Sequence, residues 1–233
     1  MAFESLEKLE ENIGYKFKDI SLLKLAVTHS SYVHERVMNK IQCNERIEFL
    51  GDAVLEAVSS EFLYNTYPDK QEGELTKLRA SLVCESALAV CAKEIKLPQF
   101  LVLGVGEDKG GGRYRDSVTS DAFEAVIGAI FIDGGFDEAK TFIKRYVLND
   151  IEHKTLFHDS KSILQEYSQA NFKKPVTYEI LTESGPEHDK TFVAQVVIGD
   201  FIGCKGQGHS KKAAEQNAAY ETLLHLKNTN EGK

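Results

Sequence analysis

Asn44-Glu45-Arg46-Ile47-Glu48-Phe49-Leu50-Gly51-Asp52-Ala53-Val54-Leu55 reads as an α-helix with one acidic stripe. At about 100° per residue, Glu45, Glu48 and Asp52 fall within about 60° of one another. Ile47, Leu50, Val54 and Val58 take the opposite side, and Phe49 and Ala53 border the stripe. Apolar residues therefore run around much of the circumference, which predicts a buried helix. Asp121-Ala122-Phe123-Glu124 opens a second such segment, with Val126, Ile127 and Ile130 behind a carboxylate pair at i and i+3. Two buried helices that both carry acids decide the class of the first half: all-α.

The surrounding sequence keeps that rhythm from Leu6 to about Glu152. Leu75, Leu78 and Leu82 recur at helical spacing, and Leu88, Val90 and Cys91 continue the apolar theme. Tyr67-Pro68-Asp69, Leu97-Pro98, Gly110-Gly111-Gly112 and Gly134-Gly135 punctuate the helices. No strand is expected before residue 150. After Asp159 the period changes. Ser160 to Asn171 reads as a helix, Val176 to Leu181 and Phe192 to Ile198 as strands, and Gly199-Asp200 as a hairpin turn into a third strand, Phe201 to Lys205. A last helix, roughly His209 to Leu226, gathers Ala218, Ala219, Thr222, Leu223 and Leu226 on one face. The expectation is an all-α domain over 1–152 and a small α+β domain, α-β-β-β-α, over 159–227. The linker falls near His153 to His158, although it contains neither Gly nor Pro.

Bulk charge excludes a histone-like polyanion binder. The 233 residues hold 28 Lys plus Arg and 36 Asp plus Glu, a net charge of −8. Any grip on a polyanion must come from local patches. The longest apolar run, Ala125 to Ile132, falls short of the ~18 residues of a membrane span. Met1-Ala2-Phe3-Glu4 lacks the features of a secretory signal, and the four cysteines form no regular framework. A cytoplasmic protein with reduced thiols is expected, with Cys84 and Cys91 in the core.

Gathering carboxylates in a partly dry site is costly. Two like charges 4 Å apart repel by ~4 kcal/mol at an effective dielectric near 20. Protonation, a basic side chain or a divalent cation relieves this. Each acidic pair alone suits a solvated face or a partner for Arg46, but two of them inside apolar helices favour a cation. Oxygen ligands without Cys or His point to hard Mg²⁺ or Mn²⁺, which would activate water for attack on phosphorus. Glu56, one turn beyond Asp52, reads as a solvated end.

These residues carry a resemblance. Asn44-Glu45-Arg46-Ile47-Glu48-Phe49-Leu50-Gly51-Asp52 resembles the signature nonapeptide of the ribonuclease III family, with Ile where Leu is commoner, and Asp121-Ala122-Phe123-Glu124-Ala125 resembles its second acidic motif. The resemblance implies a homodimeric endoribonuclease that hydrolyses double-stranded RNA with Mg²⁺, Mn²⁺ being a possible substitute. It further implies 5′-phosphate and 3′-hydroxyl products with short 3′ overhangs, and processing of ribosomal and messenger RNA. Matched by position, Glu48, Asp52, Asp121 and Glu124 would hold metal. Asp52 and Glu124 would also serve catalysis, with Glu45 assisting at the cleft. Glu72 falls where the family has a further acid, and it equally suits a helix start favoured by the macrodipole.

Groups for holding RNA flank this machinery. Lys109-Gly110-Gly111-Gly112-Arg113-Tyr114-Arg115 lies just ahead of Asp121, and Arg113 and Arg115 could guide phosphate. Gly206-Gln207-Gly208-His209-Ser210-Lys211-Lys212 opens the last helix with free N–H groups and two lysines, a phosphate-binding construction. Gln165 and Glu166 on the preceding helix, and His188 in the Gly185-Pro186-Glu187-His188 loop, could meet 2′-hydroxyls in the minor grooves. The α-β-β-β-α order and the Ser-Lys-Lys-x-Ala-Glu run resemble a double-stranded-RNA-binding domain. The competing readings are a non-cleaving RNA-binding regulator and a phosphohydrolase or DNA nuclease using the same metal site.

Overall fold

The computed structural model describes residues 4–35, 42–185 and 190–230. Its first unit, Met1–Asn149, is organised around α8 (Asp116–Gly134), whose Val118, Ala122, Phe123, Val126, Ile127 and Ile130 are buried. A helix apolar on nearly every side needs neighbours on nearly every side. Here α2 (Ile20–Ala26), α4 (Glu45–Thr66), α6 (Glu85–Glu94) and α9 (Phe136–Tyr146) supply them. The rest of the unit comprises α1 (Glu4–Ile13), α3 (Ser30–Glu35), α5 (Glu72–Val83) and α7 (Val105–Lys109), with short 3-10 turns at Leu97–Phe100 and Gly112–Tyr114. Local chemistry sets the breaks. Tyr67 precedes Pro68 and so leaves the helical region as α4 ends, and α5 begins with a capping box between Gln71 and Glu74. Among the described residues, the only β pairing in this unit is a single parallel bridge between Thr28 and Val102.

Three expectations for this unit do not hold. The signature helix α4 is buried on one side only: Ile47, Gly51, Val54, Leu55 and Val58 are covered, while Phe49 is 78% exposed and Ala53 and Ala57 are also in solvent. Val90 likewise points outward, because Leu88, Ala89, Cys91 and Ala92 already fill the inward arc of α6. Cys91 is in the core; Cys84, at the α5–α6 junction, is half-buried.

The second unit, Asp150–Lys233, contains α10 (Ile151–His158), α11 (Ser160–Asn171), β1 (Thr177–Ser184), β2 (Thr191–Ile198), β3 (Phe201–Gly208) and α12 (Lys211–Asn230). The strands form an antiparallel sheet in the order β1-β2-β3, with Ile180 opposite Ala194 and Ala194 opposite Gly206. Strict alternation on β2 buries Phe192, Ala194, Val196 and Ile198 in a core with Leu164, Ala214, Ala218 and Leu223. Gly199, at φ +58°, makes the tight turn between β2 and β3. The segment expected as linker is instead α10. Its Leu156 joins this core, and the Phe157 ring meets Tyr220 edge-on at 5.3 Å. With no Gly or Pro to stop it, the segment folds onto the apolar surface beside it. Among the described residues, no helix is long and apolar enough to cross a membrane.

Candidate active site and nucleic-acid interface

The acids of the first unit are brought together by a crossing of α4 and α8 that only glycine permits. A Cβ on Gly51 would run into the Glu124 carbonyl, and one on Gly128 into the Ile47 carbonyl. The two helices thus touch backbone to backbone at reciprocal points. Glu48 and Asp52 flank one of those glycines; Glu124 supplies the carbonyl that meets it, with Asp121 one turn earlier. Sequence reasoning found the acids and missed the glycines, although Gly51 stands inside the nonapeptide.

Burial and mutual charge act on these carboxyl groups together. Burial is the main cause that pushes Glu124 up to about 8, and the charges of Asp52, Glu48, Asp121 and Glu56 add to it. Glu48 is pushed up to about 7, again chiefly by burial, then by Asp121, Glu45 and Asp52. Burial also raises Asp121; Glu85 reinforces the shift, while a Ser120 hydroxyl contact and His29 oppose it. Glu48, Asp52, Asp121 and Glu124 therefore feel one another, Glu45 adjoins Glu48, and Glu56 is within reach of Glu124. Among the described ion pairs none engages these four acids, whereas Glu56 is paired with Arg79 at 2.8 Å. Among the described residues, no three His, Cys, Asp or Glu side chains stand close enough together to hold a metal ion as the side chains are placed, so an ion would have to draw these acids inward. The arrangement gathers carboxyl oxygens that no described ion pair neutralises, with His29 as a basic group acting on Asp121. That donor set suits a hard divalent cation.

Glu72 is the first residue of α5 and accepts a hydrogen bond from the Thr76 hydroxyl (3.0 Å). It also lines a cleft of about 610 Å³ with Ser60, Tyr64, Tyr67, Lys70 and Arg79. Sequence reasoning missed this cleft, since α4, the following turn and α5 build it jointly.

The basic loop is less available than expected. Arg113 spends its guanidinium inside the fold. It makes a bidentate pair with Asp108 (2.9 and 3.0 Å) and donates to the carbonyls of Pro98 and Leu101. Phosphate would have to displace these bonds, so Arg113 is a staple of the loop and not the phosphate guide its sequence context suggests. Arg115 is exposed and shares its charge with Glu107 at 2.9 Å.

In the second unit Gln165 and Glu166 are exposed on α11. The Gln165 side-chain oxygen accepts from the Val176 N–H (3.1 Å), which leaves its NH₂ to face outward partners. Lys211 and Lys212 stand exposed in the first turn of α12, and the Ser210 hydroxyl caps that turn by accepting from the Ala213 N–H (3.1 Å). His188 lies outside the described residues.

Comparison with known proteins extends these observations. Residues 19–151 match the family model described as Ribonuclease-III-like, and residues 160–226 match the double-stranded RNA binding motif. The chain is 47% identical over 227 residues to Ribonuclease 3 of Desulforamulus reducens, spanning 96% of this chain and 92% of that protein. It is 46% identical over 224 residues to Ribonuclease 3 of Caldanaerobacter subterraneus subsp. tengcongensis, spanning 95% and 98%. Among solved structures, the nuclease domain of Ribonuclease III from Campylobacter jejuni aligns with a TM-score of 0.57 at 44% identity. It spans 61% of this chain and 95% of that one, and was described for flexibility in a region involved in dimer formation.

Proposed function

The chain belongs to the ribonuclease III family; as a member it is a divalent-metal endoribonuclease of double-stranded RNA, and we propose that Mg²⁺ is its ion. We assign catalysis to residues 1–152 and duplex binding to 159–227. The products are 5′-phosphate and 3′-hydroxyl ends with short 3′ overhangs. The setting is cytoplasmic processing of ribosomal and messenger RNA, and Mn²⁺ can replace Mg²⁺.

One observation carries this reading: carboxyl groups from two helices act on one another across a glycine crossing, and no described ion pair engages them. Glu48, Asp52, Asp121 and Glu124 would hold the ion, which when bound would supply an activated water and stabilise charge on the phosphoryl and leaving oxygens. Before it binds, burial lets Glu124 and Glu48 keep protons near neutral pH, which spares the fold part of their mutual repulsion. Loading the site would take those protons away. Glu45, exposed at the start of α4, faces solvent where substrate must approach. In the second unit Lys211 and Lys212 take phosphate, and Gln165 and Glu166 take 2′-hydroxyls, so the duplex is read by shape.

Dimerisation explains the dry side chains left wet on α4. Phe49, Ala53, Ala57 and Tyr64 form one exposed stripe, with Phe49 and Tyr64 some 22 Å apart along the helix. In a two-fold pairing through this stripe, Phe49 of each protomer would seat near the cleft at Tyr64 on the other.

Digestion of long RNA duplex in Mg²⁺ and in EDTA, beside a DNA duplex of the same sequence, tests the whole reading. Cleavage of RNA alone, and only with Mg²⁺, is expected. Tight binding without cutting would identify a regulator instead, and equal cutting of DNA a broader nuclease.

A further inference from the structure

Two polar links tie the start of α11 to α12. The Ser160 hydroxyl donates to the Gln216 carbonyl (3.2 Å), and Lys161 Nζ meets Glu215 Oε2 at 2.6 Å. The same ammonium lies 4.6 Å from the centroid of the Tyr178 ring on β1. The Tyr178 hydroxyl is buried without a hydrogen-bond partner, so Tyr178 contributes its ring face here. Burial, then the charge of Glu215, pushes that phenol up to about 12. One side chain therefore joins two helices and a strand.

Its position along each helix is telling. Gln165 follows Lys161 by one turn on the same face of α11, and Glu215 follows Lys211 by one turn on α12. Leu164, Ala218 and Ala219 supply the apolar contact beneath them. Apolar contact is non-directional and leaves helices free to slide, whereas a charge-assisted hydrogen bond defines a geometry. An A-form duplex presents its grooves and phosphates at set spacings, read across ~16 bp. A slide of one residue, about 1.5 Å, spoils contacts that must be made together.

We propose that Lys161 is a positioning residue for duplex recognition, holding the groove-reading turn of α11 in register with the phosphate-binding turn of α12 through Glu215 and the Tyr178 ring. The proposal rests on α11 and α12 being the RNA-facing elements.

The test uses the full chain and a perfect RNA duplex in EDTA, with affinity measured against salt for K161M, K161R, E215Q and K161M/E215Q. K161M and E215Q should each weaken binding by about five- to tenfold, and the double variant no further, since both remove one interaction. K161R should stay within about twofold of the parent, and the salt slope should not move. In Mg²⁺ the loss should appear in KM and leave kcat at saturation unchanged. The proposal is overturned if K161M flattens the salt slope by about one while E215Q binds as well as the parent or better, because Lys161 would then itself meet phosphate. Additive losses would overturn it too. Should K161M lower the melting temperature, E215Q keeps the lysine stem on Tyr178 and carries the same test. Replacing Lys211 and Lys212 with Ala separates the premise from the proposal: undiminished binding there removes α12 from the interface whatever Lys161 does.

Discussion

The crossing of α4 with α8 and the junction of α11 with α12 handle charge in opposite ways. At the first, half-buried acids meet other acids and no described ion pair answers them. At the second, Lys161 is matched by Glu215, while Lys211 and Lys212 are spread over an exposed helix start. A site that must recruit a cation has to stay electrostatically incomplete, and helix packing must hold it that way. A surface that must grip a polyanion can be locally satisfied and needs only well-placed charges. The nuclease unit therefore keeps its acids without ion-pair partners among the described residues, whereas the binding unit fixes geometry.

The largest effect should come from removing one acid at the crossing. Glu124→Gln is expected to bind duplex RNA almost as the parent does while single-turnover cleavage falls on the order of a thousandfold. Comparable turnover would remove Glu124 from the ligand set. Next in size is the backbone contact itself. Gly51→Ala pushes a methyl into the Glu124 carbonyl, and overpacking of this kind costs about 1–3 kcal/mol. Urea unfolding of the nuclease unit should register that loss; an unchanged midpoint would mean the helices can part without penalty. On the other side of the comparison, replacing Lys211 and Lys212 with Ala should weaken binding to all duplex sequences alike and reduce the salt slope by up to about two. A change confined to some sequences would mean that these lysines read bases.

The smallest effect sharpens the contrast through pH. Glu48 and Glu124 keep their protons to about 7 and about 8 in the folded chain, against an ordinary value near 4.5 in the unfolded one. Between those limits the folded state holds more protons, so stability declines as pH rises. Ion-paired carboxylates behave in the opposite sense. Thermal melts in EDTA should therefore fall from pH 5.5 to 8.5, and the gain on adding Mg²⁺ should be larger at the higher pH. A gain independent of pH would place the cation away from these acids.

Much of this was legible in local pattern. The apolar run of α8 and the strict alternation of β2 need only their own period to declare helix and strand, and the acids announce themselves by spacing. Failures came where a residue's fate depended on something distant. Periodicity allotted Phe49 to a buried helix, yet within one chain nothing covers it. Arg113 had the composition of a phosphate ligand until Asp108, Pro98 and Leu101 took its donors. Position between two domains makes His153 to His158 read as a linker, yet Leu156 meets an apolar surface and the stretch is a helix.

Residue order alone was enough to establish two units, a helical one bearing acids and a mixed one bearing lysines, because amphipathic period and chemical type are properties of neighbours in the chain. It could not establish that Gly51 and Gly128 let two backbones touch, or that Lys161 would find Glu215. Those pairs stand 54 or more residues apart, and contact across such a gap exists only once burial has closed the chain upon itself.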